Sequence, residues 1–291
     1  MRRAALLVGC AALASCFREE TIAPSGPRDR TYVLRAPSTE TGPHPVVMFL
    51  HAYETDARTQ EAYFHLKRAL KNAGFAVALP HGRYNKGGAL YWNATPSCCD
   101  FDGAAPDDVR YLIGVLEDVS RRVEVDPRRV YLMGVSNGGF MAERLLCERP
   151  DLIAGAVSVS SGGLTDADCP TLRPGTRYLH VHGDSDELVS LDGGAFPPLR
   201  PWPAGRVSLE RFSAAGGCQG WEQSAAGFDV DSVVAGAETD VATAVGCDAG
   251  AVESWTVRGG RHHIPLTKGA ATRMLEFLDG PARANTSPAS Q

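Results

Sequence analysis

Residues 130–140 read Val130-Tyr131-Leu132-Met133-Gly134-Val135-Ser136-Asn137-Gly138-Gly139-Phe140, and this stretch decides the fold. The first four residues form a short apolar run of the kind found in a strand covered on both faces. The residues after Gly138 read as a helix. Between them, Gly134-Val135-Ser136-Asn137-Gly138 is a G-x-S-x-G pentad. Strand, pentad and helix in succession make a sharp turn that holds a serine hydroxyl at the end of a parallel sheet, within reach of a base. The pentad alone is weak, since a chain this rich in glycine meets it by chance roughly 0.2 times. Its context and two partners further along the chain give it weight.

On either side of this stretch, short apolar runs alternate with amphipathic ones. Strands are predicted over 45–50, 75–79, 130–134, 153–159, 177–182 and 252–257. Val109, Leu112, Ile113 and Leu116 fall at i, i+3, i+4 and i+7, as do Ala271, Met274, Leu275 and Leu278; both sets predict helices. Gly74 closes a further helix that begins near Gln60. This alternation predicts an α/β domain over 31–280, a doubly wound, mainly parallel sheet with helices on both faces. The Pro/Gly-rich stretch 193–205 reads as a long loop near the C-terminal edge of that sheet.

Composition agrees: 44% hydrophobic and 22% charged residues in 291 describe a globular chain able to bury a large core. The net charge is −5 with no basic cluster, which argues against nucleic-acid binding. Met1-Arg2-Arg3 followed by the apolar run 4–14 reads as an export signal. Leu13-Ala14-Ser15-Cys16 resembles a bacterial lipoprotein cleavage site, with Cys16 as the lipidated residue; an ordinary secretory signal is the alternative. Residues 1–15 are then the signal, 16–30 a polar tether, and 281–291 a disordered tail. No later run approaches the ~18 apolar residues of a span, so membrane attachment is expected only through a lipid anchor.

Six further cysteines remain: Cys98, Cys99, Cys147, Cys169, Cys218 and Cys247. An even set in an exported protein argues for disulfides, with buried free thiols as the alternative. Cys218 and Cys247 bracket one Gly/Ala/Asp-rich insertion and are the first expected pair. Adjacent Cys98 and Cys99 are expected to bond elsewhere, to Cys147 and Cys169. No C-x-x-C pair exists, which disfavours zinc.

A serine hydroxyl becomes a nucleophile when a histidine takes its proton and a carboxylate fixes that histidine. Two later segments supply both groups: His182-Gly183-Asp184-Ser185-Asp186-Glu187-Leu188-Val189 and Gly259-Gly260-Arg261-His262-His263-Ile264-Pro265. Together with Leu50-His51-Ala52, Trp92-Asn93-Ala94 followed by Cys98-Cys99, Pro106-Asp107-Asp108-Val109 and Ser136-Asn137-Gly138-Gly139, they make six ordered motifs. In these the chain resembles the secreted esterases grouped with poly(3-hydroxybutyrate) depolymerases and feruloyl esterases. The resemblance covers about residues 31–280. It implies an α/β-hydrolase fold, no cofactor, and hydrolysis of carboxylic esters through an acyl-enzyme.

Carried over by position, the resemblance implies Ser136 as nucleophile, Asp186 as acid and His262 as base, with Asp184 and His263 as rivals for the last two roles. It implies an oxyanion hole from the backbone N–H groups of Tyr53 and Asn137. Ala52 stands where the family has glycine, and would be strained if that position requires a positive φ. Trp92 and Asn93 fall in the family's substrate-side loop, Trp92 being equally readable as core. Trp202, exposed by context, is a candidate to cap the site. Ile264 replaces an aromatic common in the depolymerases, and no polymer-binding domain is visible. Feruloyl or acetyl esters of polysaccharide and short polyhydroxyalkanoate oligomers remain the substrate classes implied.

Three other readings compete. His180-Val181-His182-Gly183-Asp184 looks like half of a dinuclear metal site, but Ser185 stands where the next histidine belongs, and alternate strand residues suit packing equally. A serine peptidase of the same fold and a non-catalytic surface-binding lipoprotein are the alternatives in function.

Overall fold

The computed structural model describes residues 17–22, 30–37, 42–170, 172–225 and 227–280. The stretches read as signal and tail, together with Cys16, lie outside the described residues. In chain order the elements are β1 (Phe17–Ile22), β2 (Tyr32–Pro37), β3 (His44–Leu50), α1 (Ala57–Tyr63), α2 (Leu66–Asn72), β4 (Ala76–Pro80), β5 (Arg83–Tyr84) and β6 (Leu90–Tyr91). Then come α3 (Asp108–Arg122), β7 (Val125–Val135), α4 (Asn137–Glu148), β8 (Gly155–Val159), β9 (Arg177–Gly183), β10 (Gly193–Ala195) and β11 (Pro201–Pro203). The chain continues through α5 (Gly205–Ala215), β12 (Gly220–Gln223), β13 (Thr239–Val245), β14 (Ala251–Val257) and α6 (Lys268–Asp279).

Ten strands form one sheet in the order β1-β2-β4-β3-β7-β8-β9-β14-β13-β12. The central run from β4 to β14 is parallel. β1 and β2 at one end, and β13 and β12 at the other, are antiparallel. All six predicted strands lie in the parallel run. Their apolar continuity has a direct cause, because alternate residues serve opposite cores. In β3, Val46, Met48 and Leu50 pack beneath α3, α4 and α5, while Val47 and Phe49 pack beneath α1, α2 and α6. Both faces are therefore covered, as a doubly wound sheet requires.

The helix periods hold over α3 and α6. The helix expected from near Gln60 to Gly74 departs from expectation in two ways. It begins at Ala57, because the Asp56 carboxylate accepts from the N–H groups of Arg58 and Thr59; such a cap fixes a helix start. It is also split in two where His65 takes φ 54°, ψ 18°. The 193–205 loop contains a short hairpin, β10 against β11.

The tether expected over 16–30 is corrected at both ends. Residues 17–22 form edge strand β1, whose Glu19 accepts from the buried Arg35 guanidinium at 2.5 Å and from Arg58 at 2.6 Å. Arg30 is buried rather than solvated, and its Nη1 donates to Asp108 at 2.5 Å. Strong polarity in sequence concealed both, since the charges are satisfied by partners far along the chain.

Disulfides join Cys98 to Cys99, Cys147 to Cys169 and Cys218 to Cys247. The last agrees with expectation and staples the β12–β13 extension. The other two overturn the expected pairing of Cys98 and Cys99 with Cys147 and Cys169. Cys98 Sγ lies 3.5 Å from the Asn137 side chain at the start of α4. Cys147 is ten residues further along that helix, about 15 Å away, beyond the reach of a disulfide.

Candidate active site

The pentad forms the turn between β7 and α4. Ser136 adopts φ 52°, ψ −118°, a left-handed conformation that stores strain of order 1–3 kcal/mol in a non-glycine residue. The glycines permit this tight turn. A Cβ on Gly134 would fall on the backbone of Gly138, and one on Gly138 would fall on the carbonyls of Leu50 and His51. Side chains at either position would push α4 off the strand ends. The half-buried Ser136 hydroxyl thus stands at the C-terminal edge of the sheet.

His262, from the turn after β14, brings Nε2 to 3.0 Å from Ser136 Oγ. Its Nδ1 lies 2.8 Å from Asp186 Oδ2 and 3.0 Å from Oδ1. Asp186, from the loop after β9, also accepts from the N–H groups of Leu188 at 2.9 Å and Val189 at 2.8 Å, and from His182 Nε2 at 3.0 Å. Burial pushes its carboxyl up, but the hydrogen bonds from His182 and His262 outweigh this and hold it well below the usual carboxylate range;. Asp186 is therefore ionised and oriented. The rivals lie elsewhere. Asp184 accepts from Gly259 N–H at 2.7 Å and ties the ends of β9 and β14 together. His263 is exposed and rests edge-on against His262.

On the opposite flank, β3 runs into the turn His51-Ala52-Tyr53. Neighbouring amides of that turn are engaged: Ala52 N–H with Gln60 Oε1 at 3.1 Å and Glu54 N–H with Leu90 O at 3.0 Å. The positive φ falls on Glu54 (63°), not on Ala52, so alanine sits there without the strain a left-handed residue would bring. Asn137 is the first residue of α4, where a helix N–H has no intrahelical partner. Its side chain brackets Trp92, accepting from Trp92 N–H at 2.7 Å and donating to Trp92 O at 2.9 Å.

His51 braces this flank. It is fully buried, Gly82 N–H donates to its Nε2 at 2.9 Å, and Nδ1 lies 2.8 Å from Ala52 O. Nδ1 must therefore carry the proton. Burial pushes its pKa down to about 4, so the ring is neutral near pH 7.

The expected substrate-side residues are placed differently. Trp92 is fully buried with Nε1–H donating to His51 O at 3.0 Å, so its ring is core. Asn93 is a strut: its N–H donates to Asp108 at 2.6 Å and its side chain to Pro106 O at 3.0 Å. Trp202 is 4% exposed and packs against Phe196 and Phe140; the hairpin folds it inward, which corrects the expectation of exposure. The aromatics beside the turn are Tyr53 itself and two others, Phe101 and Phe196, missed in sequence for want of any motif. Tyr53 meets Phe101 edge-on at 5.5 Å, Phe101 meets Phe196 at 6.2 Å, and Phe101 is 42% exposed. Arg30 was missed for the same reason; its guanidinium lies 3.8 Å from the Tyr111 ring centroid and supports the Trp92 loop.

The histidines of the metal-like segment are joined in a hydrogen-bond ladder, His180 Nε2 lying 3.1 Å from His182 Nδ1. Among the described residues, no group of three or more His, Cys, Asp or Glu is arranged to hold a metal. No described helix is long and apolar enough to cross a membrane.

No family model matches the chain. It is 31% identical over 278 residues to the protein named "Putative esterase NocK" of Nocardia uniformis subsp. tsuyamanensis, covering 87% of this chain and 78% of that protein. Feruloyl esterase B of Piromyces equi is 26% identical over 201 residues, 66% of this chain and 36% of that one. Poly(3-hydroxybutyrate) depolymerase of Ralstonia pickettii is 30% identical over 138 residues, 43% of this chain and 27% of that one. The chain thus spans well under half the length of the latter two relatives. Among solved structures, the acetyl xylan esterase of Aspergillus awamori matches with a TM-score of 0.61 at 12% identity, over 90% of this chain and 98% of that one. A CIB-like hydrolase of Thermoplasma acidophilum matches at 0.54 and 15% identity, over 91% and 98%. The structural likenesses establish the α/β-hydrolase fold. On the sequence match across most of both proteins, the chain belongs to the α/β-hydrolase esterases that include feruloyl esterases and poly(3-hydroxybutyrate) depolymerases, and it is a carboxylic ester hydrolase.

Proposed function

We propose that Ser136, His262 and Asp186 carry the ester hydrolysis as a nucleophile–base–acid triad. The single observation behind this reading is one imidazole bridging a serine hydroxyl at 3.0 Å and an ionised carboxylate at 2.8 Å. Ser136 Oγ attacks the ester carbonyl as its proton passes to His262 Nε2, and the Asp186 charge stabilises the imidazolium. The oxyanion that forms is held by the N–H groups of Tyr53 and Asn137, the latter reinforced by the positive end of α4. His262 returns its proton to the leaving alkoxide, and water then cleaves the acyl-enzyme. No step calls for a cofactor.

The substrate is an ester with an aromatic acyl group, such as a feruloyl ester of polysaccharide, in preference to an acetyl ester or a short polyhydroxyalkanoate oligomer. The names of the relatives support an ester of this range. The cluster of Tyr53, Phe101 and Phe196 beside the turn favours the aromatic member, since a ring gains from edge-to-face contact there. The enzyme works outside the cytoplasm: the N-terminal signal and three disulfides suit an oxidising compartment;. Attachment to a membrane, where it occurs, is through lipid on Cys16.

Hydrolysis of p-nitrophenyl acetate and butyrate beside Ser136→Ala tests the triad, the expected loss being several orders of magnitude in kcat. Equal, near-background rates for both proteins would refute it. Methyl ferulate against a 3-hydroxybutyrate dimer then tests the acyl preference.

A further inference from the structure

Behind Asp186 runs a buried series of titratable groups that the triad does not use. Tyr178, His180 and His182 occupy alternate positions of β9, on the face beneath α4 and α5, and none is more than 1% exposed. The Tyr178 hydroxyl lies 3.2 Å from His180 Nδ1, and His180 Nε2 lies 3.1 Å from His182 Nδ1. His182 Nε2 ends the series, 3.0 Å from Asp186 Oδ2 and 2.8 Å from Val189 O. At the far end stands Glu143 of α4, fully buried, accepting from Ser161 at 2.9 Å and Ser208 at 2.8 Å, with the Tyr178 hydroxyl beside it. Gly205 closes α5 onto the ladder: a Cβ there would come within 2.6 Å of His180 Nε2.

Donor and acceptor counting leaves three arrangements. A carboxylate and a carbonyl face His182 Nε2, so that nitrogen carries a proton in all of them. In the first, Glu143 is a neutral acid donating to Tyr178, Tyr178 donates to His180 Nδ1, and His180 Nε2–H donates to His182 Nδ1. In the second, each of three protons moves one hydrogen bond along: Glu143 becomes a carboxylate and His182 an imidazolium, with no net gain of protons. In the third only the first two protons move, and the imidazolium is His180. The second and third each add two buried charges, which burial opposes. The second has a further cost. It also sets a second cation on Asp186, in competition with the imidazolium that His262 becomes.

We propose that Glu143, Tyr178, His180 and His182 form a proton wire ending on Asp186, with its mobile proton resident at Glu143 in the working enzyme. His182 is then a positioning residue that leaves the full carboxylate charge to His262. Burial, which pushes Glu143 up and His180 well down, agrees with that residence. The groups facing the wire are Ser158, Ser161 and Ser208 around Glu143, and Asp186 with His262 at the other end. The functional part of this proposal rests on the triad reading; the proton positions do not.

Nitrogen-15 NMR of the histidine-labelled full chain reads those positions without turnover. The expected result is that His180 and His182 are both neutral with the proton on Nε2, identically in wild type and in Glu143→Gln, which cannot ionise. An Nδ1–H tautomer, an imidazolium at either histidine, or a change of tautomer in Glu143→Gln would overturn the proposal. Tyr178→Phe, which touches no triad residue, is expected to move the His180 and His182 resonances and lower kcat about tenfold with KM unchanged. Wild-type resonances and kcat in that variant would also overturn it. If Tyr178→Phe does not fold, the wild-type and Glu143→Gln tautomers decide. Failure of the triad reading shows separately, as undiminished activity in Ser136→Ala with the tautomers as expected.

Discussion

On the β9–β14 side of Ser136, titratable side chains are hydrogen-bonded in series from His262 through Asp186, His182 and His180 to Tyr178. On the β3 side, the backbone of the turn after β3 is held by Asn137, Trp92 and a neutral His51. In the proposed mechanism one flank handles a proton and must supply charge that responds to it. The other would meet a charge that appears only in the transition state, and fixed dipoles do that without reorganising. The two flanks should therefore fail differently: the first in rate, the second in stability.

The largest expected effect lies on the first flank. Asp186→Asn, which keeps the shape but loses the charge and permits the wrong tautomer of His262, is expected to lower kcat by about 10⁴ while the fold persists. Steady-state hydrolysis of p-nitrophenyl butyrate beside a thermal melt checks both halves. On the second flank, Asp108→Ala strands the buried Arg30 guanidinium and removes the acceptor of Asn93 N–H. A loss of about 3–5 kcal/mol in urea unfolding is expected, with a smaller fall in kcat once folded protein is normalised.

Acid acts on both flanks, through buried His51 on the second and buried His180 on the first. Because the folded-state pKa of His51 is pushed down to about 4, the unfolded chain takes up that proton first as the pH falls from about 6.5. Stability present above pH 6.5 is thus lost progressively down to about pH 4, amounting to about 3 kcal/mol from this residue. Urea midpoints at pH 7 and 4.5 should show a steeper fall for wild type than for His51→Asn; parallel profiles would move the acid sensitivity to His180 on the other flank. The smallest effect is expected for Asn137→Ala, which keeps the backbone amide but loses both hydrogen bonds to Trp92. About 1–2 kcal/mol of stability should go, and a kcat change above a hundredfold would show that the side chain does more than brace the turn.

What sequence reasoning reached follows the same division. The parallel strands were legible because burial on both faces makes each a continuous apolar run, and the elbow because its glycines are demanded by backbone contact. The antiparallel ends were not. β13 is mostly half-exposed, and β1 reads as Phe-Arg-Glu-Glu-Thr-Ile, so neither resembles a buried strand. The segments containing Asp186 and His262 were found from motif order, yet the ladder behind Asp186 was not. His180 and His182 resembled metal ligands because nothing local reveals that Glu143, thirty-five residues earlier, faces Tyr178. Trp202 failed similarly: a Pro-rich setting suggests exposure, but the hairpin turns its ring against Phe140 and Phe196. Contacts fixed by distant partners leave no local signature.

The open sheet also has a colloidal consequence. A ten-stranded sheet that does not close exposes two rows of backbone donors and acceptors, each a template for another chain. At one border β1 presents Arg18, Glu19 and Glu20, and Glu19 is held by Arg35 and Arg58. An approaching strand must displace those ion pairs or desolvate them. At the other border β12 spans only Gly220–Gln223 and is pinned close to its start by the Cys218–Cys247 bridge, too short to seed extended pairing. Both borders are thus poor nuclei for intermolecular sheet growth.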